Sequence, residues 1–232
     1  MAYQKVMSLD LLSAQNKVWE QLSQIGTSER VGSAYLFSGP TGCGKEGLAI
    51  RFSQLLNCDL PGKTPCDTCP SCHRFHQLQH EKLKLIFPLP IVKKNKDEES
   101  GELSPVGKGD MELVTDAIAK KSEDFFYKIQ IPRSNRILIQ SVRELRRTLY
   151  LKSDPKGRKI VLIFDAHLLS AGQGEAANAL LKILEEPPDN TTLILVTDHV
   201  ELLLPTILSR CQRVGIPKLE DGFVRDWLQM KM

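Results

Sequence analysis

The sequence predicts an α/β fold: a mostly parallel sheet with helices on both faces, and a four-cysteine module inserted after the first core helix. Three observations predict it. A glycine-rich loop at residues 39–46, GPTGCGKE, lies between an apolar run (34–38, AYLFS) and a helical pattern (45–56), the strand, loop, helix order a phosphate-binding loop requires. Further apolar runs at 83–87, 160–164, 192–197 and 212–216 alternate with helical patterns, as parallel strands do when each crossover is a helix. Four cysteines fall between Cys58 and Cys72, directly after the loop helix.

Each element has its own signal. A first helix is expected over 14–25, where Val18, Leu22 and Ile25 recur at helical intervals and Gly26 supplies a stop. The loop helix turns Leu48, Ala49, Phe52, Leu55 and Leu56 inward. Between 88 and 135 the pattern dissolves: residues 93–110 are charged, poor in apolar residues and rich in turn formers, and read as a mobile surface loop, with a helix starting at 111–119. The helix at 140–149 lines one face with Val142, Leu145 and Leu149 and carries Arg143, Arg146 and Arg147 elsewhere. Lys152, Lys156, Arg158 and Lys159 follow, so the stretch reads either as a solvated basic face or as a contact for nucleic-acid phosphates. A helix over 176–186 packs Ala179, Leu180, Ile183 and Leu184 and ends at Pro187 and Pro188; Glu185 and Glu186 are either solvated or face a neighbour's basic surface.

The 232 residues suffice for one sizeable core, and 41% apolar content is ordinary for a globular chain. A net charge of +3 is too mild by itself to indicate a polyanion partner. No run approaches the roughly 18 apolar residues of a membrane helix, and the start MAYQKVMSLDLLS has no signal-peptide core, so a cytoplasmic location without membrane contact is expected. In that compartment cysteines serve as thiols or metal ligands rather than disulfides.

Chemistry concentrates in three places. In the loop, Gly39, Gly42 and Gly44 let backbone N–H groups cradle phosphate and Lys45 reaches the outer phosphates, but Glu46 stands where a serine or threonine would hold Mg²⁺. A carboxylate there repels the anion with which it would share a metal, so the pocket is expected to hydrolyse poorly or to bind nothing. Asp165 ends the IVLIF run alone, where a working ATPase has two adjacent acids; it reads equally as a turn cap or as a group facing a metal. Cys58, Cys66, Cys69 and Cys72 leave seven, two and two residues between thiols, a set that closes a tetrahedral structural Zn²⁺ site. His73, His76 and His80 are possible substitutes; Cys43 and Cys211 read as ordinary small residues.

Residues 34–45 (AYLFSGPTGCGK), the four-cysteine insert, 177–188 (ANALLKILEEPP) and 205–211 (PTILSRC) together resemble bacterial DNA polymerase III clamp-loader subunits, over about 11–216 apart from 88–135. The resemblance implies an AAA+ P-loop NTPase-like domain over 1–217 and the start of a lid domain at 218–232. The family comprises ATP-hydrolysing gamma/tau subunits and a non-hydrolysing delta-prime subunit; the altered loop and the lone Asp165 look like delta-prime, with Lys45 keeping weak ATP binding open. Arg210 matches the arginine of the SRC motif, which implies a guanidinium directed into a neighbour's ATP site, and Thr197 stands where the family places a γ-phosphate sensor. Ser33 departs from the histidine many relatives carry.

The implied role is assistance: no ATPase activity of its own, but a part in a DNA-directed DNA polymerase (nucleotidyltransferase) holoenzyme. Partners would be gamma/tau and delta, indirectly the sliding clamp, and primed DNA. The chain reads as a fragment that does not assemble the ring alone. Two rival readings are a gamma/tau-like ATPase in which Glu46 and Asp165 manage Mg²⁺ unconventionally, and a zinc-bearing nucleic-acid-binding module using the basic stretch 143–159.

Overall fold

A computed structural model describes residues 11–28, 30–60, 62–90, 108–151 and 156–231. Most of the expected charged loop, and Lys152, lie outside these residues. Its end is a correction: residues 108–110 open a helix, because this stretch continues the helical pattern that buries Ala117 rather than the turn-rich composition before it.

In chain order the elements are α1 (Asn16–Thr27), β1 (Ala34–Ser38), α2 (Lys45–Leu55), α3 (Pro70–His76), β2 (Leu83–Ile86), α4 (Lys108–Glu123), α5 (Ile139–Leu149), β3 (Lys159–Ile163), α6 (Glu175–Glu185), β4 (Thr191–Thr197), α7 (Pro205–Leu208), β5 (Gln212–Gly215) and α8 (Asp221–Lys231). The strands form one parallel sheet in the order β2-β3-β4-β1-β5. Every expected strand is present.

Side chains alternate across the sheet because successive residues of a strand point to opposite faces. Tyr35 and Phe37 of β1, Ile160 and Leu162 of β3, and Ile194 and Val196 of β4 join one apolar cluster with Trp19 and Leu22 of α1 and Leu48 and Phe52 of α2. Leu36, Val161, Ile163, Leu193 and Leu195 join the other, against Val142 and Leu145 of α5, Leu180 and Ile183 of α6, and Ile207 of α7. Both faces are covered, so β3, β1 and β4 read as continuous apolar runs rather than as alternating ones. The three central strands end together: Ser38 lies opposite Thr197, and Ile163 opposite Leu195. The glycine loop, Asp165 and Thr197 therefore meet at one carboxyl edge, where open parallel sheets place their ligands.

Candidate functional site

The glycine loop leaves β1 and enters α2 through Gly44, which takes φ 83. The positive φ at Gly44 strains any side chain there, and a Cβ would also displace a Leu11 methyl that lies 2.4 Å away. Gly42 and Gly44 both take positive φ as the loop turns into α2, and the charged side chains of the loop are met within the chain. Lys45 Nζ pairs with Asp198 Oδ1 at 2.8 Å and donates to the Pro40 carbonyl at 3.0 Å. The other Asp198 oxygen accepts from Thr41 Oγ1 at 2.6 Å and faces Lys128 Nζ at 3.8 Å. The Lys45 ammonium beside it and the Thr41 hydroxyl hold Asp198 below its ordinary value despite burial, which pushes the other way.

Glu46 does not confront an anion alone. It pairs with Lys121 of α4, whose side chain is only 1% exposed and whose ammonium also donates to the carbonyls of Phe125 at 2.8 Å and Tyr127 at 2.6 Å. Burial pushes the Lys121 pKa down, while the Glu46 carboxylate pulls it up. Phe125 and Phe126 stand over the loop, and the space among Thr41, Gly42, Lys45, Glu46, Phe126 and Asp198 is about 110 Å³. Small-molecule sites occupy about 300 Å³ or more. In this conformation the space over the loop is filled by side chains from other elements, Lys121, Phe125, Phe126, Lys128 and Asp198.

Of the two roles expected for Asp165, the side-chain turn cap is not formed. The residue sits in the left-handed region at φ 49, and its carbonyl accepts from the Leu168 N–H. Its carboxylate pairs with Lys128 at 2.9 Å. Thr197 is fully buried; its hydroxyl meets His167 Nδ1 at 3.0 Å and accepts the His199 N–H at 3.0 Å, and burial lowers the His167 pKa. A hollow of about 530 Å³ adjoins this edge, lined in part by Lys128, Ser134, Asp165, His167 and His199. Lys121, Lys128 and Asp198 carry no local signal in the sequence, because each is brought to the loop from a distant element.

The four cysteines converge: the sulfurs of Cys58, Cys66, Cys69 and Cys72 all lie within 4.8 Å of one another, and Cys66 Sγ is 3.9 Å from Cys72 Sγ. Tetrahedral Zn–S bonds of about 2.3 Å imply sulfur separations of about 3.8 Å, so the cluster fits the ion. Backbone N–H groups point at the sulfurs, Cys66 to Cys58 at 3.4 Å, Cys69 to Cys66 at 3.3 Å and Cys72 to Cys69 at 3.3 Å, a donor set that favours thiolates. Burial pushes the Cys66 thiol up, but hydrogen bonds from Thr68 and from the Cys69 N–H outweigh it and bring Cys66 down to about 6. Two of the three histidines take other roles: His80 Nε2 meets Ser71 Oγ at 3.2 Å while its ring stacks on Phe75 at 4.1 Å, and His76 packs on Phe125. Arg51, 1% exposed, ties α2 to this module through Asp67 and also donates to Gln54 of its own helix.

The basic stretch divides. Arg158 donates to Thr191 O and Thr192 Oγ1, and Lys159 donates to the carbonyls of Leu149 and Leu151, so both are structural. Arg143, Arg146 and Arg147 stay exposed around a hollow of about 400 Å³. Glu185, half exposed, pairs within the chain with Arg210 at 2.8 Å.

The strand order, the loop helix and the cysteine module define a clamp-loader-like AAA+ fold. The family model described as DNA polymerase III, delta subunit, matches residues 14–220, and the chain belongs to that family as a delta-prime-like clamp-loader subunit. It is 28% identical over 214 residues to the delta' subunit of Bacillus subtilis, covering 92% of this chain and 51% of that protein. It is 27% identical over 206 residues to the tau subunit of the same organism, covering 88% of this chain and 28% of tau. The chain thus spans about half, or less, of the curated relatives it matches. A Thermotoga maritima DNA polymerase III gamma subunit-related protein has the same fold, with TM-score 0.52 and 21% identity over 91% of this chain and 49% of that one. Among the described residues no helix is long and apolar enough to cross a membrane.

Proposed function

We propose that this chain assists ATP-driven loading of the sliding clamp on primed DNA without hydrolysing ATP itself. One observation carries the reading: both charged residues of the phosphate-binding loop are neutralised internally, Lys45 by Asp198 and Glu46 by Lys121. The fold is kept while the loop is closed. Arg210, exposed at the end of α7, is then the group offered to a neighbouring gamma/tau ATP site, where a planar guanidinium stabilises charge during phosphoryl transfer. The cysteine cluster holds structural Zn²⁺, and α8 begins a lid domain.

The test uses a complex reconstituted from full-length subunits, with single-turnover hydrolysis read at the ATP site adjoining this subunit. Arg210→Ala is expected to lower that rate by a factor of about 10 or more. An unchanged rate would remove the proposed role. Mg²⁺-dependent hydrolysis by the isolated chain would instead favour the motor-subunit reading. The exposed guanidiniums of Arg143, Arg146 and Arg147 motivate a second reading, contact with a polyanion; reversing all three charges should then flatten the salt dependence of DNA binding.

A further inference from the structure

Arg210 is held in place. Its Nη2 donates to Glu185 Oε1 at 2.8 Å, and its Nη1 donates to the Thr206 carbonyl at 2.9 Å. The second contact is local, one helical turn back. The first crosses from α7 to the last residue of α6.

Packing fixes the two backbones. Ile207 of α7 is buried in the same cluster as Leu180 and Ile183 of α6 and Leu203 between them, so the two helix ends keep their separation. The ion pair itself lies in solvent, its side chains 35% and 50% exposed. An exposed pair of this kind binds weakly because water screens it, yet it still selects an orientation. A guanidinium has five N–H donors in one plane. Two are engaged here, which leaves three for other acceptors. The fork shape allows one edge to rest on a carboxylate while the other meets a second anion.

We propose that Glu185 is a positioning residue for Arg210, holding the guanidinium plane in advance so that its free edge meets the phosphates of a nucleotide bound by the adjoining subunit. This rests on Arg210 acting in trans, as proposed above. Orientation set beforehand removes a rotamer search from each hydrolytic event, and small displacements of a transition-state contact are costly to rate.

In the reconstituted complex of full-length subunits, Glu185→Ala should lower the single-turnover rate at the adjoining site by a factor of about 3 to 10, with the apparent KM for ATP unchanged within about twofold. Glu185→Gln keeps an acceptor oxygen and should recover at least half of the loss. Combined with Arg210→Ala, Glu185→Ala should add nothing, since its effect passes through that side chain. A wild-type rate for Glu185→Ala, or an equal loss in the Arg210→Ala background, would overturn the positioning role. If Arg210→Ala lowers the rate and Glu185→Ala does not, only Glu185 is misassigned. If Arg210→Ala has no effect, the role in trans and the positioning fall together.

Discussion

At position 46 a single substitution changes the chemistry of the whole loop, and the structure supplies the compensation. The Glu46 side chain is 15% exposed and Lys121 1%, so their ion pair is shielded from water. Removing one member of such a pair leaves the other buried and unneutralised. Glu46→Thr, which restores the hydroxyl a magnesium site needs, is therefore expected to lower stability by about 3 kcal/mol. Glu46→Thr with Lys121→Met should recover most of that loss, as urea denaturation would show; a neutral single variant would contradict the pairing. Neither change frees Lys45, which stays with Asp198. Tight nucleotide binding should need Asp198→Asn as well, and a fluorescent nucleotide binding to the Glu46→Thr single variant alone would show that Lys45 is less committed than its 2.8 Å contact implies.

At the scale of elements, the cysteine module and α2 are joined as one unit. Arg51 reaches Asp67, Gln54 Nε2 donates to the Cys72 carbonyl at 3.0 Å, and Ser71 Oγ donates to the Asn57 carbonyl at 2.7 Å. With the proposed Zn²⁺ on the four cysteines, chelation should loosen residues 58–76 first and extend into the carboxyl end of α2, read as lost amide hydrogen-exchange protection; protection unchanged by chelation would mean the module holds without a metal. This module was readable in the sequence because cysteine spacing is local and few other folds explain it. The strands were readable for the same reason, each being a short apolar run. The partners that close the loop were not, because Lys121 lies in α4 and Asp198 follows β4, and only the tertiary fold brings them to Lys45 and Glu46. The basic run shows the converse. Arg158 and Lys159 look like a surface patch in one dimension, yet their donors end on backbone carbonyls.

At the scale of the whole molecule, contacts and titrating groups link several elements: His80 is buried, and His76 and His167 are half-buried. Phe126 over the loop meets the ring of Trp227 in α8 at 5.1 Å, so the last helix is in contact with the segment that covers the loop. Burial lowers the pKa of His76, His80 and His167 below the ordinary imidazole value of 6.5. The unfolded chain takes up protons at about 6.5 while the folded chain resists, so their contribution to stability is complete above that pH and is lost as pH falls toward the folded values. NMR titration should place all three midpoints below 6.5, and a midpoint above it would break the link between burial and acid sensitivity for that residue. The Glu46 to Lys121 pair also bears on descent. A lineage regaining a hydroxyl at 46 would pass through an intermediate that strands a buried cation, and one losing Lys121 first would strand a carboxylate. Each single change is expected to cost about 3 kcal/mol of folding stability, so the loop would leave its present state only if both positions changed together.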